Sequence, residues 1–160
     1  MNSFFYTKLV RFNRAKGCSV YEYKQVRRWT RQFDVFSYDV MLIPINQANT
    51  HWTLGVINFK DQTVEHLDSM GTGGLLKVRE HLMSWVRDEA ADKSKPFSPN
   101  NWTMPPRDVP RQLNSDDCGV FLCKFADFIS RGWQEFTFSQ QHMNYFRSRI
   151  AHELLMERAT

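Results

Sequence analysis

A helix that is apolar almost all round limits the folds that this sequence can adopt. Apolar side chains fill most of Cys118–Ser130, among them Val120, Phe121, Leu122, Phe125 and Ile129. Such a helix is stable only when other elements cover it. The pattern therefore predicts a buried central helix, preceded by the cap candidates Ser115, Asp116 and Asp117 and ended by Gly132.

The whole chain has the size and composition to enclose this helix in one domain. A domain of 160 residues hides about two-thirds of its unfolded surface, and a second domain is not expected. Hydrophobic residues make up 42% and charged residues 24%, which is typical of globular rather than disordered chains. The 14% aromatic share indicates a bulky core or an aromatic groove.

Charge and hydropathy narrow the functional classes. The net charge is +4, but Lys and Arg are spread along the chain, so a nucleic-acid partner is not indicated. No apolar run approaches the roughly 20 residues of a membrane helix, and residues 1–6 lack the layout of a signal peptide. We therefore expect a soluble, intracellular protein without a membrane span.

Two segments before residue 46 carry clear patterns. Val20, Tyr23, Val26 and Trp29 recur every three residues, which predicts a surface helix over residues 19–32 with one buried stripe. Residues 39–45 form a nearly continuous apolar run, which predicts a strand covered on both faces. Pro44 indicates that this strand ends there or lies at an edge of its sheet.

A hairpin is predicted next. Residues 52–59 and 63–67 are strand candidates, and residues 60–62 have about the length of a tight turn. If Lys60 and Asp61 centre the turn, the numbers of paired residues sum to about 121. The polar, glycine-bearing residues 68–74 then end the sheet.

Two amphipathic helices and a long loop complete the prediction. One helix covers residues 75–90, with Leu75, Leu82, Trp85 and Val86 on its apolar side. Prolines break up residues 95–110, which predicts an irregular loop whose length suggests a function. The last helix covers residues 139–158, through Met143, Phe146, Ile150 and Leu154.

The cysteines favour a reactive thiol over a disulfide framework or a metal site. The chain has three cysteines, Cys18, Cys118 and Cys123. An odd number does not support a disulfide framework, and the lack of a CxxC spacing does not support a zinc ribbon. Cys118 begins the apolar helix, whose partial positive charge at that end stabilises a thiolate, as a nucleophile requires. Cys123, one turn further along, is expected to be buried packing.

A thiolate nucleophile needs a base, and the hairpin offers one. His51 lies at the start of one predicted strand and Asp68 at the end of the other. In the predicted register Asp68 lies within diagonal reach of His51, so its carboxylate would accept the imidazole N–H and leave the other nitrogen for the thiol. A register shift of one residue would move Asp68 to the opposite face.

A fourth residue completes the candidate set. Gln112 lies six residues before Cys118, and its amide would form an oxyanion hole with the Cys118 backbone N–H. Taken singly, a His at a strand end, an Asp before a turn and a Gln in a loop are usually structural. Together they indicate a cysteine protease, because nucleophile, base and orienting carboxylate come from element ends that can meet at one rim.

Three ordered motifs lead to a family: His51-Trp52, Asp68-Ser69-Met70-Gly71, and the run from Gln112 to Gly119. They resemble the SUMO (sentrin)-specific proteases, and the similarity covers nearly the whole chain. The resemblance implies an α+β, papain-like cysteine protease fold, with a central mixed sheet packed by helices and the cysteine at the N-terminus of a buried helix. It also implies the catalytic roles given above for His51, Asp68, Gln112 and Cys118.

The resemblance implies a substrate as well. This would be SUMO, whose C-terminal Gly-Gly tail enters a tunnel too narrow for side chains and is cut from a lysine isopeptide bond or a precursor extension. Trp52 matches one tunnel tryptophan, and Arg28 and Trp29 match a segment that contacts SUMO in the family. We expect a cofactor-free monomer in the nucleus or nuclear envelope, otherwise in the cytoplasm, that requires no nucleic acid.

One family segment precedes the match. The second tunnel tryptophan of the family belongs to a Trp-Leu-Asn-Asp-like segment upstream of the part matched by residues 4–9, and this sequence starts after it. We therefore expect a domain truncated at its N-terminus, with exposed apolar surface and weaker SUMO binding. Two alternatives stay open: an inactive SUMO-binding product, and a protease for another ubiquitin-like protein.

Overall fold

A computed structural model describes residues 1–13, 15, 17–71 and 75–158. Its α-helices are α1 (Phe5–Leu9), α2 (Leu75–Asp92), α3 (Cys118–Ser130) and α4 (Met143–Leu155). Its strands are β1 (Val10–Asn13), β2 (Cys18–Tyr21), β3 (Val40–Gln47), β4 (His51–Asn58) and β5 (Thr63–Leu67). Short 3₁₀ turns lie at Tyr23–Gln25, Arg27–Thr30, Val35–Ser37, Pro99–Asn101 and Gln140–His142.

A sheet with the strand order β3–β4–β5 forms the middle of the domain. Its neighbouring strands are antiparallel, and Leu54 pairs with Leu67, which confirms the predicted hairpin register. Among the described residues, the mixed character expected of the sheet is limited to an isolated parallel bridge between Thr63 and Thr103. β1 and β2 form a separate antiparallel hairpin.

One face of the sheet is covered by α3. Leu54 and Val56 of β4 share a buried cluster with Phe121 and Phe125 of α3. Burial of side chains of this size stabilises the domain by roughly 1.5–3 kcal/mol each, which makes the α3 face a main source of stability. The α+β fold is confirmed, and α3 is the buried helix that the sequence predicted.

The other face of the sheet is covered by α2. Ile43 and Ile45 of β3 pack with Leu82 and Trp85 in a second buried cluster. The close approach depends on Gly55 of β4, because a Cβ at that position would lie 2.8 Å from Cδ1 of Leu82. The sheet is therefore a layer between two helices, and one of them begins with Cys118.

β3 shows how an edge strand tolerates proline. The strand continues past Pro44, which pairs with Leu54 while its other side faces the open edge of the sheet. The predicted cover on both faces is wrong, because buried and half-buried residues alternate along the strand. Val40 and Leu42 pack against the α3 cluster only in part, since α3 lies mainly over β4.

The helix predicted over residues 19–32 is wrong. The segment forms β2, which pairs with β1 from Val10 opposite Tyr21 to Asn13 opposite Cys18, and then two 3₁₀ turns. A recurrence every three residues is the period of a 3₁₀ turn, whereas an α-helix repeats every 3.6 residues. Tertiary contacts with α2, rather than helix propensity, fix the conformation here.

The remaining elements lie close to their predicted positions. α2 ends at Asp92, and α4 lies within the predicted final helix. The loop over residues 95–110 contains only a short 3₁₀ turn. Gly132, with a φ of +73°, follows α3 as predicted. Residues 72–74 of the predicted break, and the side chain of Leu75, lie outside the described residues.

Two predictions about the surroundings of α3 are wrong. Cys123 is exposed rather than buried, because it lines a groove between α3 and α4 instead of facing the sheet. Asp117 occupies the N-cap position, but its side chain makes no capping hydrogen bond. Arg147 of α4 and Gln140 bind that carboxylate instead.

Some large apolar side chains are exposed. Large apolar side chains that face solvent include Phe4, Phe12, Tyr38 and Leu113. None of the helices in the described part of the chain combines the length and hydropathy that a membrane span requires.

Candidate active site

Cys118 begins α3, and only 5% of it is exposed. The start of this helix lies beside the start of β4, because a Cβ on Gly119 would lie 3.9 Å from Cδ1 of Trp52. His51 directly precedes Trp52, so the thiol and the imidazole come from element ends at one edge of the sheet, as predicted. The thiol therefore lies at the positive end of the α3 dipole.

His51 and Asp68 form a buried pair. Nε2 of His51 lies 2.7 Å from Oδ1 of Asp68, and the two residues are 8% and 1% exposed. A carboxylate only accepts, so Nε2 carries a proton, and in the neutral imidazole Nδ1 then carries the lone pair. Nδ1 is buried and has no hydrogen-bond partner among the described residues, which leaves it available to take a proton from a thiol.

The turn after β5 holds Asp68 in place. Oδ1 of Asp68 also accepts a hydrogen bond from the backbone N–H of Met70 at 2.8 Å. The backbone carbonyl oxygen of Asp68 accepts from Nη1 of Arg111 at 3.2 Å. Arg111 occupies the space over Gly71, where a Cβ would lie 1.9 Å from Nη1 and where φ is +67°. Glycine is therefore required for the turn and for the approach of the guanidinium group.

Gln112 lies in the loop that leads into α3, and it is 8% exposed. Its Oε1 accepts from the Ser69 hydroxyl at 2.6 Å, and its Nε2 donates to the Asn114 carbonyl at 2.6 Å. Its backbone N–H donates to the Ser69 carbonyl at 2.9 Å. The amide thus retains one N–H beyond those bonds, the group that the predicted oxyanion hole needs.

Asp117, next to Cys118, is the centre of a second polar network. Its carboxylate accepts from Asn114, Gln140 and Arg147 at 2.6–2.8 Å. Burial raises the pKa of Asp117, but these hydrogen bonds and the charge of Arg147 outweigh it and hold the pKa below its usual value. The carboxylate is turned toward α4, which leaves the first N–H groups of α3 without a side-chain cap.

A neutral pair lies one repeat along the same strands. Thr53 lies two residues after His51, and His66 lies two residues before Asp68. The same diagonal contact between the strands is therefore repeated, with Nε2 of His66 2.8 Å from Oγ1 of Thr53. Burial lowers the pKa of His66 to about 4, although the charge of Asp68 opposes the shift. His66 is therefore uncharged at neutral pH and does not compete with His51 for the carboxylate.

The three predicted substrate-binding residues have different surroundings. Trp52 is half-buried against the start of α3. Arg28 is exposed on the turn Arg27–Thr30, whereas Trp29 packs edge-to-face on Phe5 with ring centroids 5.8 Å apart. Trp52 thus adjoins the catalytic candidates, while the Trp29 ring belongs largely to the core.

Several residues that support the site were missed by the sequence reasoning. They are Ser69, Asn114, Thr53, His66, Arg111 and Arg147. Thr53 and His66 carry a usable signal, since each lies two positions from a catalytic candidate on a strand. Arg147 lies 30 positions beyond Asp117, and no local pattern indicates that the two meet.

The arrangement provides what thiol-dependent acyl transfer requires. A nucleophile at a helix N-terminus, an oriented imidazole and a free amide N–H are held by buried hydrogen bonds. Among the described residues, no group of three or more His, Cys, Asp or Glu side chains could hold a metal ion.

Residues 1–159 match the family described as "Ulp1 protease family, C-terminal catalytic domain". Over 99% of its length the chain is 42% identical to Ubiquitin-like-specific protease ESD4 of Arabidopsis thaliana, of which it covers 32%. Over 96% it is 37% identical to human Sentrin-specific protease 2, of which it covers 25%. The chain thus spans a third or less of these two relatives.

Solved structures share the fold. The C-terminal Ulp1 protease domain, solved in complex with Smt3, the yeast ortholog of SUMO, matches with a TM-score of 0.79 and 28% identity, over 98% of this chain and 66% of that one. The catalytic domain of the Ulp1-like SUMO protease of Chaetomium thermophilum matches with a TM-score of 0.80 and 30% identity, over 98% and 60%.

Proposed function

Because the chain belongs to the Ulp1 protease family, we propose that it is a cysteine protease that removes SUMO from lysine isopeptide conjugates, processes SUMO precursors after the C-terminal Gly-Gly, or does both. One observation carries the proposal: the buried His51–Asp68 pair, 2.7 Å apart, lies at the edge of the sheet where α3 begins with Cys118. The solved relative that carries Smt3 supports SUMO as the substrate class.

The reaction follows from the roles of these residues. Nδ1 of His51 takes the thiol proton, and the thiolate of Cys118 attacks the carbonyl carbon of the terminal glycine. The negative charge that develops on the carbonyl oxygen is stabilised by the Cys118 N–H and the free amide N–H of Gln112. The imidazolium then gives its proton to the leaving amine, and water hydrolyses the thioester after deprotonation by His51.

Trp52 and the turn Arg27–Thr30 would receive the substrate. Trp52 lies against the start of α3, so a flat ring borders the path to Cys118. A tail of two glycines fits beside such a ring because it has no side chains. The exposed Arg28 would contact the folded part of SUMO, and Trp29, packed on Phe5, would hold the turn to the core.

One chain supplies all four catalytic candidates, so we propose a monomeric enzyme. We further propose that it acts in the nucleus, on the basis of the family resemblance. Light scattering of the purified protein and imaging of a tagged chain test these two points separately.

The catalytic proposal is tested with Cys118→Ala. The variant should lose all cleavage of a reporter fused to the SUMO C-terminal tail, because Cys118 is the thiol that begins α3 beside the strand end carrying His51. Cys123→Ala is the matched control, since that thiol is exposed in the groove between α3 and α4. Full activity in Cys118→Ala, or an inactive parent protein that is folded and binds SUMO, would refute the proposal.

A further inference from the structure

Ser69 links the two halves of the candidate active site. It follows Asp68, which orients His51, and it is joined to Gln112 by two hydrogen bonds. Only 1% of Ser69 is exposed, so neither bond competes with bulk water. The strand end that carries the orienting carboxylate and the loop that carries the oxyanion donor are therefore bound directly to each other.

The amide of Gln112 can adopt only one orientation in this setting. The Asn114 carbonyl can only accept a hydrogen bond, so the NH₂ end must face it, at 2.6 Å. The Ser69 hydroxyl donates to the opposite end of the amide, also at 2.6 Å. With both ends bound, rotation of the amide plane breaks a buried hydrogen bond, and the remaining N–H keeps one direction.

Building on the proposed function, we infer that Ser69 is a positioning residue that fixes the Gln112 amide so that its free N–H, rather than its oxygen, meets the developing oxyanion. An amide anchored only by Asn114 would swing, and its acceptor end would repel the oxyanion in part of its orientations. Because the oxyanion develops only in the transition state, Ser69 affects the chemical step and not the binding of SUMO.

The test begins with Ser69→Ala. Removal of an oxyanion donor itself lowers kcat by about 10²–10³-fold, so loss of its positioning partner should lower kcat by about 10-fold or more. KM for the SUMO reporter should change less than about twofold, since no substrate contact is lost. Ser130→Ala is the matched control, because that exposed hydroxyl donates to the Asp127 carbonyl, away from the candidate active site, and its loss should leave kcat unchanged.

A double-mutant cycle separates positioning from general disruption. In a Gln112→Ala background, Ser69→Ala should change kcat less than about twofold, because the amide that it positions is gone. Ser69→Cys keeps a weak donor of similar size and should fall between wild type and Ser69→Ala; it also carries the test if Ser69→Ala does not fold.

Alkylation of Cys118 by iodoacetamide gives a second readout. This reaction needs the thiolate but forms no oxyanion, so its rate should be the same in wild type and Ser69→Ala. Wild-type kcat in Ser69→Ala, an equal loss in the Gln112→Ala background, or a parallel fall in alkylation would each overturn the inference. An inactive wild-type protein would instead refute the proposed function, so the two failures are distinct.

Discussion

The β4–β5 hairpin and the segment over residues 18–30 are both attached to the same domain, but different forces hold them. The hairpin pairs strands that are adjacent in sequence, and its register follows from the position of the turn. The segment is held by side chains that reach α2: Tyr23 and Thr30 both donate to Glu89, at 2.7 and 2.6 Å. Local pairing shapes the first region, and a distant helix shapes the second.

The two regions therefore carry different kinds of functional residue: the hairpin carries catalytic candidates, and the segment over residues 18–30 carries candidate substrate contacts. The hairpin carries His51 and Asp68 at its open end, where their geometry depends on a short stretch of backbone. The segment carries Arg28 and Trp29, whose position depends on buried bonds to another element. Substitutions of the catalytic candidates in the hairpin should therefore change kcat, and substitutions of the residues that bond the segment to α2 should change stability and KM.

The largest effect is expected for Asp68→Asn. Oδ1 of Asp68 accepts from both Nε2 of His51 and the Met70 N–H, so the asparagine oxygen keeps these bonds but loses the negative charge that stabilises the imidazolium of His51. We expect kcat to fall by about 10⁴-fold, with little change in the thermal unfolding midpoint. Asp88→Asn is the control, because its carboxylate accepts from Tyr21 in the anchored segment. Similar kcat losses in both variants would abolish the distinction between the regions.

Glu89→Ala tests the anchored segment. Glu89 is fully buried, and its removal leaves the Tyr23 and Thr30 hydroxyls without their acceptor. We expect the free energy of unfolding to fall by about 1–3 kcal/mol, measured by urea denaturation, because that is the cost of one unsatisfied buried group such as the Thr30 hydroxyl. KM for SUMO should rise while kcat of the folded protein holds. Glu89→Gln keeps an acceptor and should lose less stability; a fall in kcat at unchanged stability would contradict the assignment.

The same contrast explains how much of the fold the sequence predicts. The β4–β5 register and the bounds of α3 follow from turn chemistry and apolar patterning, which act over a few residues. The segment over residues 19–32 has an apolar spacing of three, which fits either an α-helix or 3₁₀ turns, and in the structure it is bonded to α2 residues far away in sequence, among them Glu89. A single sequence contains no signal for that contact.

Gly71→Ala and Gly17→Ala compare the turns of the two regions. Both glycines have positive φ, +67° and +62°, so an alanine at either position costs about 1–2 kcal/mol of strain. At Gly71 the new Cβ also displaces Arg111, which loses its bond to the Asp68 carbonyl, whereas among the described residues beyond its chain neighbours none lies within 4 Å of a Cβ at Gly17. We expect similar stability losses but about a 10-fold lower kcat only in Gly71→Ala. Equal kcat values would show that Arg111 does not hold the turn.

In the candidate site, too, contacts between neighbouring strands can be predicted from the sequence, and contacts to distant elements cannot. The contact between His51 and Asp68 is a diagonal neighbour relation that a two-residue period gives directly. The turning of Asp117 away from α3 is not predictable, because a residue before a helix normally caps it, and Arg147 lies on α4. The exposure of Cys123 is not predictable for a related reason. Burial depends on which side of α3 other elements cover, whereas the sequence shows only that the helix is apolar.

The smallest expected effect comes from His66, a hairpin residue that should affect the pH dependence of stability but not catalysis. Burial lowers the pKa of His66 from 6.5 to about 4, so between these values the unfolded chain binds a proton that the folded chain does not. Stability therefore rises with pH across this window and is lost as the pH falls through it, with a slope of at most about 1.4 kcal/mol per pH unit. At pH 5.5 the loss should be about 1 kcal/mol relative to pH 7.5.

His66→Gln isolates this contribution from the other histidines. The glutamine amide can still reach Oγ1 of Thr53, which His66 contacts at 2.8 Å, but it does not titrate. Urea denaturation at pH 5.5 and 7.5 should show a smaller difference in the variant than in wild type, while kcat at pH 7.5 stays within about twofold, since His66 is already neutral there. An unchanged pH difference would mean that His66 is protonated in the folded protein, where it would draw the Asp68 carboxylate away from His51.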